Sequence, residues 1–417
     1  MKTSLRSKRY VIIRVPRRVS SRLPDTSLFK HFTRLKDPRV ERTKEHQLLD
    51  IVAIAVLAVI SGADGWTAIE TYGRSKQAWL KQFLELPNGI PSHDTFARVF
   101  ARLEPVVFRQ CFESWIASLV EGFNAQVIAM DGKRLRGSYD REGKQSTLHV
   151  VSAWATEHRL VLGQVKVANK SNEITAIPAL LDLLDIAGCI ITLDAIGCQT
   201  EIAAQIISKR ADYVLSLKGN HGKLHEAVAH WFNQARANDF IGVECDTYQI
   251  TESSHHRIEQ RQYWVVPVSV LGELPGVNQW AGLQAVGIVV SERRLWNKTT
   301  REVRFYLTSL AANAQRLAQA IRTHWGIENQ LHWVLDVTFH EDASRIRSYH
   351  APENLAIVRR MALNLLNQEQ SFKGSLKMKR YRAAMDNEYL VKILTATIPQ
   401  KTSPTSDPED SCDVKQN

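Results

Sequence analysis

Two short runs constrain the fold most: "VIAMDG" from Val127 and "CIITLDA" from Cys189. Each is an apolar stretch that stops on an aspartate, Asp131 or Asp194. A small residue follows in both cases, Gly132 or Ala195. Runs of this kind read as adjacent central strands of a mixed sheet, each carrying its acid at the C-terminal end. The neighbouring runs fit that sheet. "TLHVVSAWAT" and "RLVLGQVKVA" flank Glu157–His158 and alternate as a hairpin does. "NEITAIPALLDLLDIAG", with Asn172 at its cap, "CQTEIAAQIISKR" and "KLHEAVAHWFNQA" carry helical spacing, and "DYVLSLK" is a further strand. Three strands followed by alternating helix and strand predict a mixed α/β sheet.

A chain of 417 residues exceeds one ordinary core. Residues 28–120 read as a helical N-terminal domain. Within them "IVAIAVLAVI", bounded by Asp50 and Ser61–Gly62, is a buried helix, well short of the ~20 residues that span a bilayer. "SHDTFARVFARLEPVVFRQCFESWIASLVEGF" spaces its apolar residues by three and four, with Ser92 or Asp94 as N-cap. Its segment "HDTFARVFARL" is read as a packing helix in preference to a DNA-contacting one. Residues 240–310 return to strand patterns, with a hairpin turn at "WNKTT", and helices resume at "NAQRLAQAIRTHWGIENQLHWVL". The expected layout is a core of residues 126–239 and 311–370 interrupted by a β-rich insertion at 240–310. The basic arm 1–27 and the tail 400–417 have the composition of disordered ends.

The formal charge of +11 points to a polyanionic partner, and nucleic acid is the commonest. The five cysteines are odd in number, scattered, and free of any CxxC pair. That pattern argues against a disulfide framework or a zinc cage and for a reducing, cytoplasmic setting with no membrane. Asp131 and Asp194, at matching strand ends, would repel each other unless a cation lay between them. Mg²⁺ takes oxygen ligands and needs only one or two carboxylates beside a substrate phosphate. A third acid, Glu328, sits in "RTHWGIENQLHWVLDVTFHED", where a helix puts His324, Glu328 and His332 on one face. With no HExxH present, a zinc hydrolase is disfavoured.

The segments "AMDGKRLRGS", "KSNEITAIPALLDLL", "ITLDAIGCQTEIAAQI", "ADYVLSLKGN" and "HWGIENQLHWVLDVTFHEDASRIR" occur in this order and resemble the ISAs-type, or H-repeat-associated, insertion-sequence transposases. These are DDE transposases with a ribonuclease-H-like core. "LKDPRVERTKEHQLLDIVAIAVLAVISGADGW" resembles the helical domain that precedes that core, and the likeness runs from Leu28 to Leu366. The resemblance implies a ribonuclease-H-like mixed sheet with Asp131, Asp194 and Glu328 as catalytic triad and metal ligands. It also implies two Mg²⁺ ions, replaceable by Mn²⁺, with Asp131 bridging both, and cleavage and strand transfer of DNA at the inverted-repeat ends of an element and at its target. A homodimer on DNA is expected. Lys133, Arg134, Arg136, Lys170, Lys218, His324 and His332 are the expected DNA contacts. Related groups carry Tyr, Arg and Lys where this chain has Ile321, His324 and Leu335, and often "GNQ" where it has Gly219–His221. Two rival readings are a nuclease using the same triad for hydrolysis only and a catalytically inactive DNA-binding remnant or regulator.

Overall fold

The structure, a computed structural model, describes residues 27–119, 126–139, 146–168, 171–254 and 257–397. The expected arm and tail therefore lie outside it, apart from Ser27. Among the described residues, nine strands form one sheet in the order β3-β2-β1-β4-β5-β9-β8-β7-β6. They are β1 (Val127–Leu135), β2 (Leu148–Ala155), β3 (Leu160–Lys166), β4 (Ile190–Leu193), β5 (Asp212–Leu217), β6 (Asp246–Ser254), β7 (Arg257–Pro267), β8 (Ala285–Leu295) and β9 (Lys298–Thr308). β1, β2 and β3 form an antiparallel meander, while β4 and β5 join β1 in parallel. The helices Glu173–Leu183 and Thr200–Ser208 make the crossovers that parallel strands require. This is the expected ribonuclease-H-like core.

The strands at residues 246–308 extend the same sheet: β9 pairs with β5, and Leu217 lies opposite Phe305. The turn at "WNKTT" closes β8 onto β9, with Leu295 opposite Lys298 and Trp296 at positive φ.

Each sheet face is covered by helices because its strands alternate apolar residues to both sides. Ile128, Met130, Ile191 and Leu193 belong to the main core with Ile177, Leu180 and Ile202 of the crossover helices. Val127, Ile190 and Val214 face the other way, against Ala314, Leu317 and Ile321 of the helix Ala314–Gly326.

The N-terminal residues form helices. Every residue from Ile51 to Ile60 is buried, as the unbroken apolar run requires. Ser92 caps the helix His93–Arg102 by accepting from the Thr95 N–H. The helix Ala351–Gln368 joins these helices to the sheet through buried amides. Asn354 Nδ2 donates to the Phe100 and Leu103 carbonyls (2.8 and 2.9 Å). Asn364 holds both the N–H and the C=O of Val161 on β3 (2.8 and 2.9 Å).

The same helix carries a buried ion pair. Arg360 Nη1 lies 2.8 Å from Glu341 Oε1, and both side chains are sealed from solvent. Arg359 stands 3.9 Å away on the same carboxylate oxygen. Cutting away one partner of a buried pair leaves a charge that neither water nor protein compensates. Glu341→Ala is accordingly expected to cost about 3–5 kcal/mol of unfolding free energy. A urea melt checks this, and a loss below about 1 kcal/mol would show that the pair is dispensable.

Candidate active site

The site begins with the register of two parallel strands. Met130 of β1 is paired with Leu193 of β4, so the next residues, Asp131 and Asp194, stand side by side. β4 ends there, whereas β1 runs on to Leu135 because β2 keeps pairing with it. Asp131 is thus a mid-strand residue. The expectation of two strand ends holds for Asp194 and not for Asp131. What opens the sheet beside Asp131 is the loss of its parallel neighbour.

By alternation from Val127, Asp131 points to the face covered by the helix Ala314–Gly326. That helix continues into a π-helical turn, Ile327–His332, which carries Glu328. Such turns insert an extra residue into a helix and are frequent at functional sites. One ligand atom from each of Asp131, Glu328 and His332 lies within 4.8 Å of the others. His332 Nδ1 is 3.5 Å from Asp131 Oδ2 and 3.6 Å from Glu328 Oε2. Its other ring nitrogen is buried without a hydrogen-bond partner.

Asp131, Asp194 and Glu328 all line one cleft of about 210 Å³, together with Lys218, Arg304, His324 and Trp325. Asp194 is set by its own loop: Oδ1 accepts from the N–H groups of Ile196 (2.9 Å) and Gly197 (3.2 Å). The "GNH" stretch braces that loop, since Asn220 Nδ2 donates to the Ala195 carbonyl and His221 Nε2 lies 2.6 Å from the Cys198 carbonyl. His324 bonds Thr192 Oγ1 of β4 through Nδ1 (2.8 Å).

Electrostatics separates the two clustered acids. Burial first, and the Glu328 charge second, push the Asp131 carboxyl up to about 8. The His332 imidazole, 3.6 Å from Oε2, holds Glu328 down to about 2. Burial depresses the proton affinity of His324. The Asp131–Glu328–His332 cluster fits a divalent cation: two carboxylates crowd together, one is disfavoured as an anion, and a buried imidazole nitrogen lacks a partner.

The sequence profile described as "Transposase DDE domain" matches residues 122–365. The chain belongs to the DDE transposase family. A second profile, "DDE_Tnp_1-associated", matches residues 29–116 of this DDE transposase chain. The chain is 42% identical over 375 residues to "H repeat-associated putative transposase YhhI" of Escherichia coli K12, covering 89% of this chain and 98% of that one. It is 41% identical over 374 residues to "Putative transposase YncI" of Escherichia coli O157:H7, covering 89% and 95%. A piggyBac transposase synaptic complex with hairpin DNA overlaps at a TM-score of 0.39 and 9% identity, covering 94% of this chain and 85% of that one. That likeness is too slight to bear on fold or function.

The basic residues divide into several groups in this DDE transposase. Lys218 reaches the cleft. Lys133 turns inward: its ammonium is buried against Asp336 (2.5 Å) and Asp342 (3.7 Å), so it closes β1 against the segment after Glu328. Arg136 is exposed and stands 3.7 Å from Asp342, and Arg134 is exposed. Lys170 lies outside the described residues. His332, expected on DNA, sits inside the carboxylate cluster.

Sequence reasoning missed Glu173. Its carboxylate packs so close under Gly132 that a Cβ there would meet Oε1 at 2.2 Å. His149 Nε2 holds it at 2.9 Å, and its charge adds to those raising Asp131. Only "SNE" advertised it, and an acid in the first turn of a helix is ordinary.

The raised Asp131 carboxyl gives a pH test. The folded, cation-free chain keeps a proton at Asp131 up to pH about 8 that the unfolded chain releases near pH 4. Its contribution is full below about pH 4 and is lost as pH rises to about 8. Asp131→Asn cannot ionise. It should flatten this part of the pH–stability profile and gain on the order of 1 kcal/mol at the alkaline end. Thermal melts in chelator from pH 5 to 8.5 measure it, and parallel profiles for variant and parent would refute the assignment.

Proposed function

We propose that this chain cleaves DNA at the ends of an insertion sequence and transfers the freed strands to target DNA, using Asp131, Asp194 and Glu328 as ligands of divalent cations. The observation that carries the reading is the convergence of three acids, distant in sequence, on one cleft whose rim also bears Lys218 and Arg304. His332 joins Asp131 and Glu328 as a candidate ligand. Magnesium or manganese, when bound, would neutralise phosphoryl charge and activate the attacking oxygen.

The chain's own residues do the rest by position. Asp194 is oriented before substrate arrives, because two backbone N–H groups fix one oxygen and leave the other for a ligand. His324, tied to Thr192 and depressed in basicity, meets the DNA as a neutral imidazole near pH 7 and contributes a hydrogen bond. Lys218 and Arg304 supply positive charge toward phosphate oxygens at the cleft. His332 steadies Glu328 and Asp131 against each other. Lys133, committed to Asp336, keeps β1 and the Glu328 segment at a fixed separation.

The test uses duplexes bearing the flanking inverted repeats, uncut and pre-cut, with Mg²⁺ or Mn²⁺. Strand-transfer products are expected from the pre-cut ends. Asp131→Ala, Asp194→Ala and Glu328→Ala should each lower cleavage by roughly 10³-fold or more while DNA is still bound. Hydrolysis without joining would favour a nuclease, and binding without cleavage in either cation would favour an inactive remnant. Binding should weaken steeply between 50 and 200 mM salt, as several phosphate contacts require.

A further inference from the structure

The sheet face that carries Asp131 continues across β5, β9, β8 and β7, and it becomes cationic as it goes. A groove of about 530 Å³ lies on this face, walled by the helix Ala314–Gly326 and by β7, β8 and β9. Register explains its chemistry. Tyr263 of β7 is paired with Val289, and Val289 with Arg304; two residues further along each strand, Arg261, Ser291 and Glu302 are aligned, then Glu259, Arg293 and Thr300. Tyr263 and Val289, with Tyr306 two residues further in and opposite Gly287, are buried against Leu317 and Ile321. The outer residues run past the end of that apolar contact and are mostly charged. The walls hold six arginines, Arg257, Arg261, Arg293, Arg301, Arg304 and Arg322, against Glu259, which pairs with Arg257 and Arg261 (3.7 and 2.5 Å), and Glu302, which pairs with Arg304 (2.7 Å), so the excess is positive. Glu252, on β6, bonds Arg261 (2.8 Å) and Arg322 (2.5 Å) and orients both.

The groove and the acidic cleft share walls. Glu302, Arg304, Tyr306, Ile321 and Trp325 line both. Arg304 lies over the Trp325 ring at 5.3 Å, so one guanidinium stands at the junction of the two. From β1 to β7 is five strand spacings, roughly 24 Å, the axial rise of about seven base pairs of B-DNA. A small anionic ligand would need one or two of these arginines. A row spread over three strands and a helix suits a polymer of phosphates.

We propose that this arginine groove seats the phosphate backbone of the element-end duplex whose scissile phosphate occupies the acidic cleft, about seven base pairs to one side of the cut. The inference rests on the functional reading above. It commits to the element end because, in the reaction proposed above, that side of the cut must stay bound through joining, whereas the flanking duplex is released.

The test uses the full chain with Arg257→Glu, Arg293→Glu and the double variant, two positions whose side chains are solvent-accessible. Circular dichroism melts confirm folding, and Arg293→Lys serves as the charge-retaining control. On an inverted-repeat duplex at about 100 mM salt, the double variant should bind at least tenfold more weakly and show a log K–log salt slope shallower by about two. On a duplex truncated to end beside the cut, parent and variants should bind alike. Phosphate-ethylation interference should lose its signal only at positions remote from the cut. Equal binding of the long duplex by parent and double variant would overturn the proposal. Normal end binding and cleavage with loss only of joining to target would also overturn it, by assigning the groove to target DNA. If the parent binds but never cleaves, and the variants still lose binding on the long duplex alone, the groove stands and the catalytic reading falls.

Discussion

The parallel pairing of β1 with β4 is the constraint on which the rest depends. Hydrogen bonds from Val127↔Ile190 to Met130↔Leu193 fix the register of two strands some sixty residues apart in the chain. A slip of one residue would turn one aspartate to the opposite face of the sheet, because side chains alternate. The apolar content of both runs enforces the register, since Ile128, Met130, Ile191 and Leu193 must meet one core and Val127 and Ile190 the other. The acids are aligned by apolar residues that only pack.

That alignment has a cost that the surrounding structure contains without removing. The buried carboxyl of Asp131 meets the charge of Glu328, and that of Glu173 adds to it. His332 stands close to both carboxylates, 3.5 Å from Asp131 and 3.6 Å from Glu328, and lowers the proton affinity of Glu328. A carboxylate held this way favours whatever positive charge arrives, a compromise of stability that suits the catalytic role proposed for it. The π-helical turn at Ile327–His332 belongs to the same compromise: less regular than an α-helix, it carries the third acid to the first. Behind it, the buried Arg360–Glu341 pair and the Lys133–Asp336 pair hold the segment after Glu328 to the helix Ala351–Gln368 and to β1.

Continuity of the sheet links this centre to the strands at residues 246–308. Because β9 pairs with β5, the strand following the parallel pair, one pleated surface runs from the acids to the arginines. The helix Ala314–Gly326 packs on that surface and delivers Glu328 from its end, so cleft and groove share one scaffold.

Much of this was written in local sequence. Apolar runs, caps at Ser92 and Asn172, and the turn at "WNKTT" act over a few residues, so they specified the helices, the strands and the hairpins directly. The three acids were legible because each follows or sits within a distinctive run. Tertiary structure alone decided four things. β1 outlasts β4, leaving Asp131 mid-strand. His332 turns into the acid cluster, Lys133 turns inward to Asp336, and Glu173 lies beneath Gly132. It also gathered arginines from two hairpin strands, a third strand and a helix onto one face. A side chain's partner across the fold depends on register and on which strand ends first. Those are fixed by pairings between distant segments, and no short window of sequence contains them.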